Sequence, residues 1–186
     1  GDRSPSSEPA GLLADLPGRR VRPQCVTIAG RGALNGFLLD TNIVSMLSPS
    51  TSPIDGPLSS WLQSADDAGL LYLSIVTIHE VEKGISLLDH KGAAARATAL
   101  RGWLAGLQAG FASRILPLDA HVACMAGRLE AKALAGGHNP GMADAIIAGL
   151  AKAHDLVVVT KNKKHFVPFG IAVETPHDLR SPAANP

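Results

Sequence analysis

Four short apolar runs, at residues 37–39, 71–76, 115–118 and 156–159, are separated by longer stretches whose apolar residues recur at helical spacing. Runs of this length without polar alternation are those of strands buried on both faces, and strands joined through helices lie parallel. The chain is therefore expected to be α/β, a three-layer fold with a central, mostly parallel sheet flanked by helices. Between the first two runs, "SPSTSPIDGP" is loop chemistry, and Leu58, Trp61 and Leu62 then share one helix face. After the second run, Ile78, Val81, Ile85 and Leu88 form a stripe on a helix that Thr77 can cap. Leu100, Trp103, Leu104, Leu107 and Phe111 mark a third helix, with Gly110 offering its stop. A fourth covers 119–135 with Val122, Met125, Leu129 and Ala133 inward, and "GGHNPG" ends it. The next, 142–154, is short and Ala-rich, and its Ile146, Ile147 and Leu150 suit close packing on a sheet. The Trp and Met residues on these stripes are core material.

A chain of 186 residues, 46% hydrophobic, can bury one sizeable core and does not require two domains. Residues 1–33 differ from the rest, being rich in Ser, Pro, Gly and Arg, and read as a disordered or non-native tail. The folded domain is expected over 34–180, with 181–186 a flexible C-terminus. A net charge of +1 and a pI near 8.0 exclude a nucleic-acid binder that works by bulk charge, though a local basic patch remains open. Cys25 and Cys124 lie in segments of different character, and no Cys/His spacing resembles a zinc site, so both read as free thiols. No apolar run is long enough to span a bilayer and no signal-peptide order is present, which leads to the expectation of a cytoplasmic protein.

Three acids stand where the strand and helix pattern puts one edge of the sheet. Asp40 follows the first run directly, and Thr41 and Asn42 after it are cap-type residues from which a helix can start. Glu80 is placed in the first turn of the helix after the second run; Thr77 and Glu80 also fit a capping box, in which Glu80 would serve only the helix end. Asp144 stands in the first turn of the Ala-rich helix, with no Lys or Arg at helical pair spacing. The helix dipole alone can favour an acid there. After the fourth run, Thr160 and Asn162 reach the same edge, with Lys161, Lys163, Lys164 and His165 nearby. Three carboxylates gathered at one edge repel one another and call for cations; all-oxygen ligation with water suits Mg2+ or Mn2+, which activate water against phosphodiesters.

These residues carry a family resemblance. "FLLDTNIVS", "SIVTIHEVEKGI" and "ADAIIAGLAKAHDLVVVTKNKKHF" resemble, in order, the three acid-bearing blocks of PIN domains, and within that superfamily of VapC-type toxins of bacterial toxin–antitoxin pairs. The resemblance covers the chain from Phe37 to about Leu179 and includes the small residue Gly84 after Glu80. It implies a metal-dependent ribonuclease with Asp40, Glu80 and Asp144 as catalytic, Mg2+- or Mn2+-binding residues, and Thr41, Asn42, Thr160, Asn162 and His165 in support. It also implies a homodimer and a VapB-like antitoxin. Lys161, Lys163 and Lys164 are the candidate contacts to RNA, a tRNA or rRNA for instance. Many members carry a further acid after the last strand; here that place holds Asn162, with His165 close by, which puts a second metal in question. The family's domain begins just before its first strand, so a natural start near Leu34 is expected. Two other function classes stay open: a catalytically silent module acting through an antitoxin and operator-DNA complex, and a housekeeping RNA-processing nuclease of the same fold.

Overall fold

The computed structural model describes residues 35–51, 54 and 56–179. The tail expected over 1–33, the terminus at 181–186 and Cys25 lie outside the described residues. The elements are β1 (Gly36–Leu39), α1 (Thr41–Met46), α2 (Pro57–Asp67), β2 (Leu71–Ser74), α3 (Ile75–His90), α4 (Ala94–Gly110), β3 (Ile115–Leu116), α5 (Ala120–Ala135), α6 (Met142–Ala153), β4 (Leu156–Val159), α7 (Lys163–Phe166), a 3-10 turn (Val167–Phe169) and β5 (Val173–Glu174). All four pairings are parallel, and the strand order is β3-β2-β1-β4-β5.

Strand alternation builds the expected three layers. Phe37, Leu39, Leu71, Leu73, Val157 and Val159 face one core, shared with α1 to α4. Leu38, Leu156 and Val158 face the other, shared with α5, α6 and the segment through Phe166 and Phe169. β1 pairs in register with β4 along its whole length, Leu38 opposite Val158. On its other side β1 pairs with β2, and Gly36 makes that approach possible: at its φ of +146°, an added Cβ would lie 2.5 Å from the Leu70 carbonyl oxygen. On the outer layer, a Cβ on Gly149 would lie 2.8 Å from the Ala126 Cβ, so α5 and α6 meet at closer range than two alanines permit. Arg114, just before β3, donates to Asp66 at 2.6 Å and lies 4.4 Å from the Phe111 ring centroid. It thereby joins the end of α2 to the end of α4.

Several expected boundaries move. The second run is a strand only over Leu71–Ser74; Ile75 and Val76 belong to α3, whose cap is Ser74, not Thr77. Ser74 Oγ accepts from the Val76 and Thr77 amides, so one hydroxyl inside an apolar run ends the strand and starts the helix. The third strand stops at Leu116 rather than 118. Asp40 itself caps α1, so Thr41 is the first helical residue instead of a cap. The segment at 163–166, expected as loop, is the short helix α7. In α5, Ala126 rather than Met125 is buried with Val122 and Ala133. Cys124 is free, as expected, and it is exposed. Among the described residues no helix is long and apolar enough to cross a membrane.

Candidate active site at the sheet's switch point

The chain winds outward from β1 to β2 and β3, then returns to the other side of β1 with β4 and β5. The crevice beyond the C-terminal ends of β1 and β4 is therefore the topological switch point, where open α/β sheets bind ligands. Asp40 directly follows β1 and Thr160 directly follows β4. Both are buried, Asp40 to 6% exposure and Thr160 completely.

A closed set of hydrogen bonds holds them. Asp40 Oδ1 accepts from the Thr41 amide at 2.7 Å, and Oδ2 accepts from Thr160 Oγ1 at 2.7 Å and Asn42 Nδ2 at 2.5 Å. Asn42 Nδ2 also donates to Thr160 Oγ1 at 3.0 Å, while its Oδ1 accepts from the Lys161 amide at 3.0 Å. The Asn162 amide donates to Thr160 Oγ1 at 2.9 Å. The Thr160 hydroxyl thus uses its one donor and both acceptor positions, which fixes its proton toward Asp40.

Glu80 lies in the second turn of α3, not the first, because the helix begins at Ile75. The capping-box reading fails for the same reason, since Ser74 already caps the helix. Glu80 Oε2 instead accepts from the Thr41 hydroxyl, a bond across 39 sequence positions. Glu82 points elsewhere, accepting from Ser86 and Arg101. Asp144 is in the first turn of α6 as expected, and His165 Nδ1 stands 3.4 Å from its Oδ2. Among the described residues none of the three acids forms an ion pair with Lys or Arg. Lys163 pairs with Asp178 at 3.2 Å, and Lys161 and Lys164 are exposed.

The electrostatics record the convergence. Burial raises the Asp40 carboxyl above its ordinary value, and the charges of Asp144 and Glu80 push the same way, against hydrogen bonds from Thr160 and Thr41. Burial likewise raises Asp144, with Glu80 adding repulsion and His165 opposing it. Three mutually repelling carboxylates and nearby neutral oxygens form a hard, all-oxygen donor set without a built-in cation, which fits Mg2+ or Mn2+. Among the described residues no group of three Asp, Glu, His or Cys side chains is placed to hold one metal ion. Each acid is held by its own partner, Asp40 by Thr160, Glu80 by Thr41 and Asp144 by His165. Mg2+ is commonly bound through only one or two carboxylates and keeps several waters, so it does not require three protein ligands.

Beside Asp144 opens a cleft of about 280 Å3, lined by His138, Asn139, Gly141, Asp144, Lys164 and His165. His138 and Asn139 carried no role in the sequence, where "GGHNPG" reads only as the end of a helix. Their one signal is a pair of hydrogen-bonding side chains amid Gly and Pro.

A PIN domain model matches residues 37–167. Toxin FitB of Neisseria gonorrhoeae is 34% identical over 146 residues, covering 76% of this chain and 99% of that protein. A VapC ribonuclease, Y4jK of Sinorhizobium fredii, is 31% identical over 141 residues, 75% of this chain and 96% of that one. Among solved structures, FitAcB from Neisseria gonorrhoeae superposes with a TM-score of 0.64 at 32% identity, covering 77% of this chain and 99% of that chain. FitAB bound to the IR36 DNA fragment gives 0.63 at 30% identity, with 77% and 97% covered. DNA-bound VapBC from Salmonella typhimurium gives 0.56 at 26%, with 76% and 98% covered.

Proposed function

The chain belongs to the PIN domain family, and from that premise we propose that it is a VapC-type toxin: an Mg2+- or Mn2+-dependent endoribonuclease that hydrolyses RNA phosphodiesters. The observation that carries this reading is the meeting of Asp40, Glu80 and Asp144 at the switch point without a Lys or Arg partner among the described residues. A relative named as a VapC ribonuclease supports the activity. When bound, the cation supplies Lewis acidity toward a phosphate oxygen and lowers the pKa of a water.

The residues of the chain hold that chemistry in place. Asp40, Asp144 and Glu80 would hold the cation, and the Thr41 hydroxyl orients Glu80. Asn42 and Thr160 lock the Asp40 carboxylate, so its free lone pair keeps one direction. Asn162 holds the Thr160 hydroxyl through its amide, and His165 steadies Asp144. Lys161, Lys163 and Lys164 contact RNA phosphates, which position the substrate without reading its sequence. The domain over 34–180 works in the cytoplasm as a homodimer and is silenced by a VapB-like antitoxin; the FitAB and VapBC complexes among its relatives support that partner.

Cleavage of end-labelled tRNA and rRNA by the purified chain, freed of antitoxin, tests the reading. Cutting is expected with Mg2+ or Mn2+, not with EDTA, and is expected to fall about a hundredfold or more in Asp40→Asn and Asp144→Asn, as when a charge-stabilising group is lost from an active site. Intact RNA under all conditions, with the protein folded, would turn the assignment toward the silent antitoxin- and operator-binding module.

A further inference from the structure

The cleft beside Asp144 extends beyond the three acids. The connection between α5 and α6 supplies one side with His138 and Asn139, α7 supplies the other with Lys164 and His165, and Pro140 and Pro168 add flat apolar surface. Gly141 also lines it, and a Cβ there would meet only Asp144 Oδ2, at 3.8 Å.

Chemistry and size narrow the occupant. Two histidines and an aspartate suggest a transition metal, but among the described residues no three such groups are placed to hold an ion. At about 280 Å3 the cleft lies just below the roughly 300–1,000 Å3 of pockets that enclose a whole small molecule. It suits one unit of a longer chain. Unpaired bases of RNA stack on flat side chains, histidine included, and are read by amide groups on their edges, while a lysine ammonium meets a phosphate as a point charge. Imidazole, amide, proline faces and ammonium are all present here. Asp144 both lines the cleft and stands among the three acids, so the cleft adjoins the place where a phosphodiester would meet them.

We propose that this cleft is the subsite for the nucleotide adjoining the cleaved phosphodiester, with Lys164 on its phosphate and His138 and Asn139 on its base. The inference rests on the nuclease reading above and deepens it, locating sequence preference in the α5–α6 connection. The test is an anisotropy titration of a fluorescein-labelled, mixed-sequence single-stranded RNA 12-mer in EDTA, where nothing is cut, alongside steady-state cleavage in Mg2+. His138→Ala is expected to weaken binding about fivefold or more, the scale of a lost base stack. Asn139→Ala is expected to alter the distribution of cut sites. Lys164→Ala should weaken binding of all sequences alike and reduce the salt slope by about 0.7, the contribution of one phosphate on a single strand. Gly141→Leu, placed in extended backbone at φ −75° and ψ 150°, should plug the cleft and raise KM. Lys152→Ala, exposed in the last turn of α6, should bind as the wild type does, and thermal unfolding checks that each variant folds.

Normal binding, KM and cut sites in all four cleft variants, with RNA still cut by the wild type, would overturn the subsite and leave the nuclease standing. Weakened binding in the cleft variants of a chain that cuts nothing would leave the cleft an RNA-binding surface and overturn both the nuclease and the subsite beside a cleaved phosphodiester. Failure of the wild-type chain to bind the 12-mer in EDTA would overturn the subsite, while cleavage in Mg2+ decides the nuclease separately.

Discussion

Thr160 shows how much a single buried hydroxyl can hold. It donates to Asp40, accepts from Asn42 and Asn162, and is fully buried. Replacing it by Val keeps the shape and removes three hydrogen bonds, leaving the Asn162 backbone N–H without its partner while Asn42 Nδ2 and Asp40 Oδ2 keep each other. Thr160→Val is expected to destabilise the fold by about 1–3 kcal/mol, the cost of unsatisfied buried groups. Activity should fall roughly 10- to 100-fold, as when a partner that orients a metal ligand is lost. Thr160→Ser should restore most of both, and denaturant unfolding with RNA cleavage measures the pair. The identities of Asp40, Glu80 and Asp144 could be read in the sequence because acids interrupt apolar patterns. Their partners could not: Thr41 reaches Glu80 across 39 positions, and Thr160 reaches Asp40 across 120.

At the scale of elements, the packing of α5 on α6 depends on a small residue at one position and is indifferent to it at another. Gly149 faces Ala126 at a distance that excludes a Cβ, whereas a Cβ on Gly127 meets nothing within 4 Å. Gly149→Val should therefore cost about 1–3 kcal/mol through overpacking. Gly127→Ala should have the opposite sign, stabilising by about 0.8–1.0 kcal/mol through helix propensity. Thermal or urea unfolding of the two variants distinguishes contact from propensity. Helical stripes made most of these elements legible, but boundaries depended on single polar atoms. Ser74 splits an apolar run that reads as one strand, and this shifts Glu80 from the first to the second turn of α3. β5 is two residues long, too short for any periodicity, and exists because β4 offers it an edge.

For the whole molecule, the acidic site opposes the fold that builds it. Asp40 and Asp144 have folded-state pKa values raised above 3.8 by burial and mutual repulsion. At these two groups the native state then binds more protons than the unfolded chain above pH 3.8, so their contribution to stability is greatest below that value and is lost as pH rises through the raised values. In EDTA at pH 7, Asp144→Asn should melt a few degrees above the wild type, with the gap closing as pH falls toward 4. Mg2+ should reverse the order; at 100 times its Kd it would add about 2.7 kcal/mol to the wild type. Melting curves at several pH values, with and without Mg2+, check both signs. The sequence by itself determined the α/β class and the parallel strands and singled out three acids as candidates, because hydrophobic period and isolated charges are local properties of the chain. Only the tertiary structure decided that β1 and β4 lie side by side and that Thr41, Asn42 and Thr160 lock the acids. It also decided that His138 and Asn139 face Lys164 and His165 across a cleft. Those relations depend on the order in which strands join the sheet, and no local pattern encodes contacts between residues so far apart in the chain.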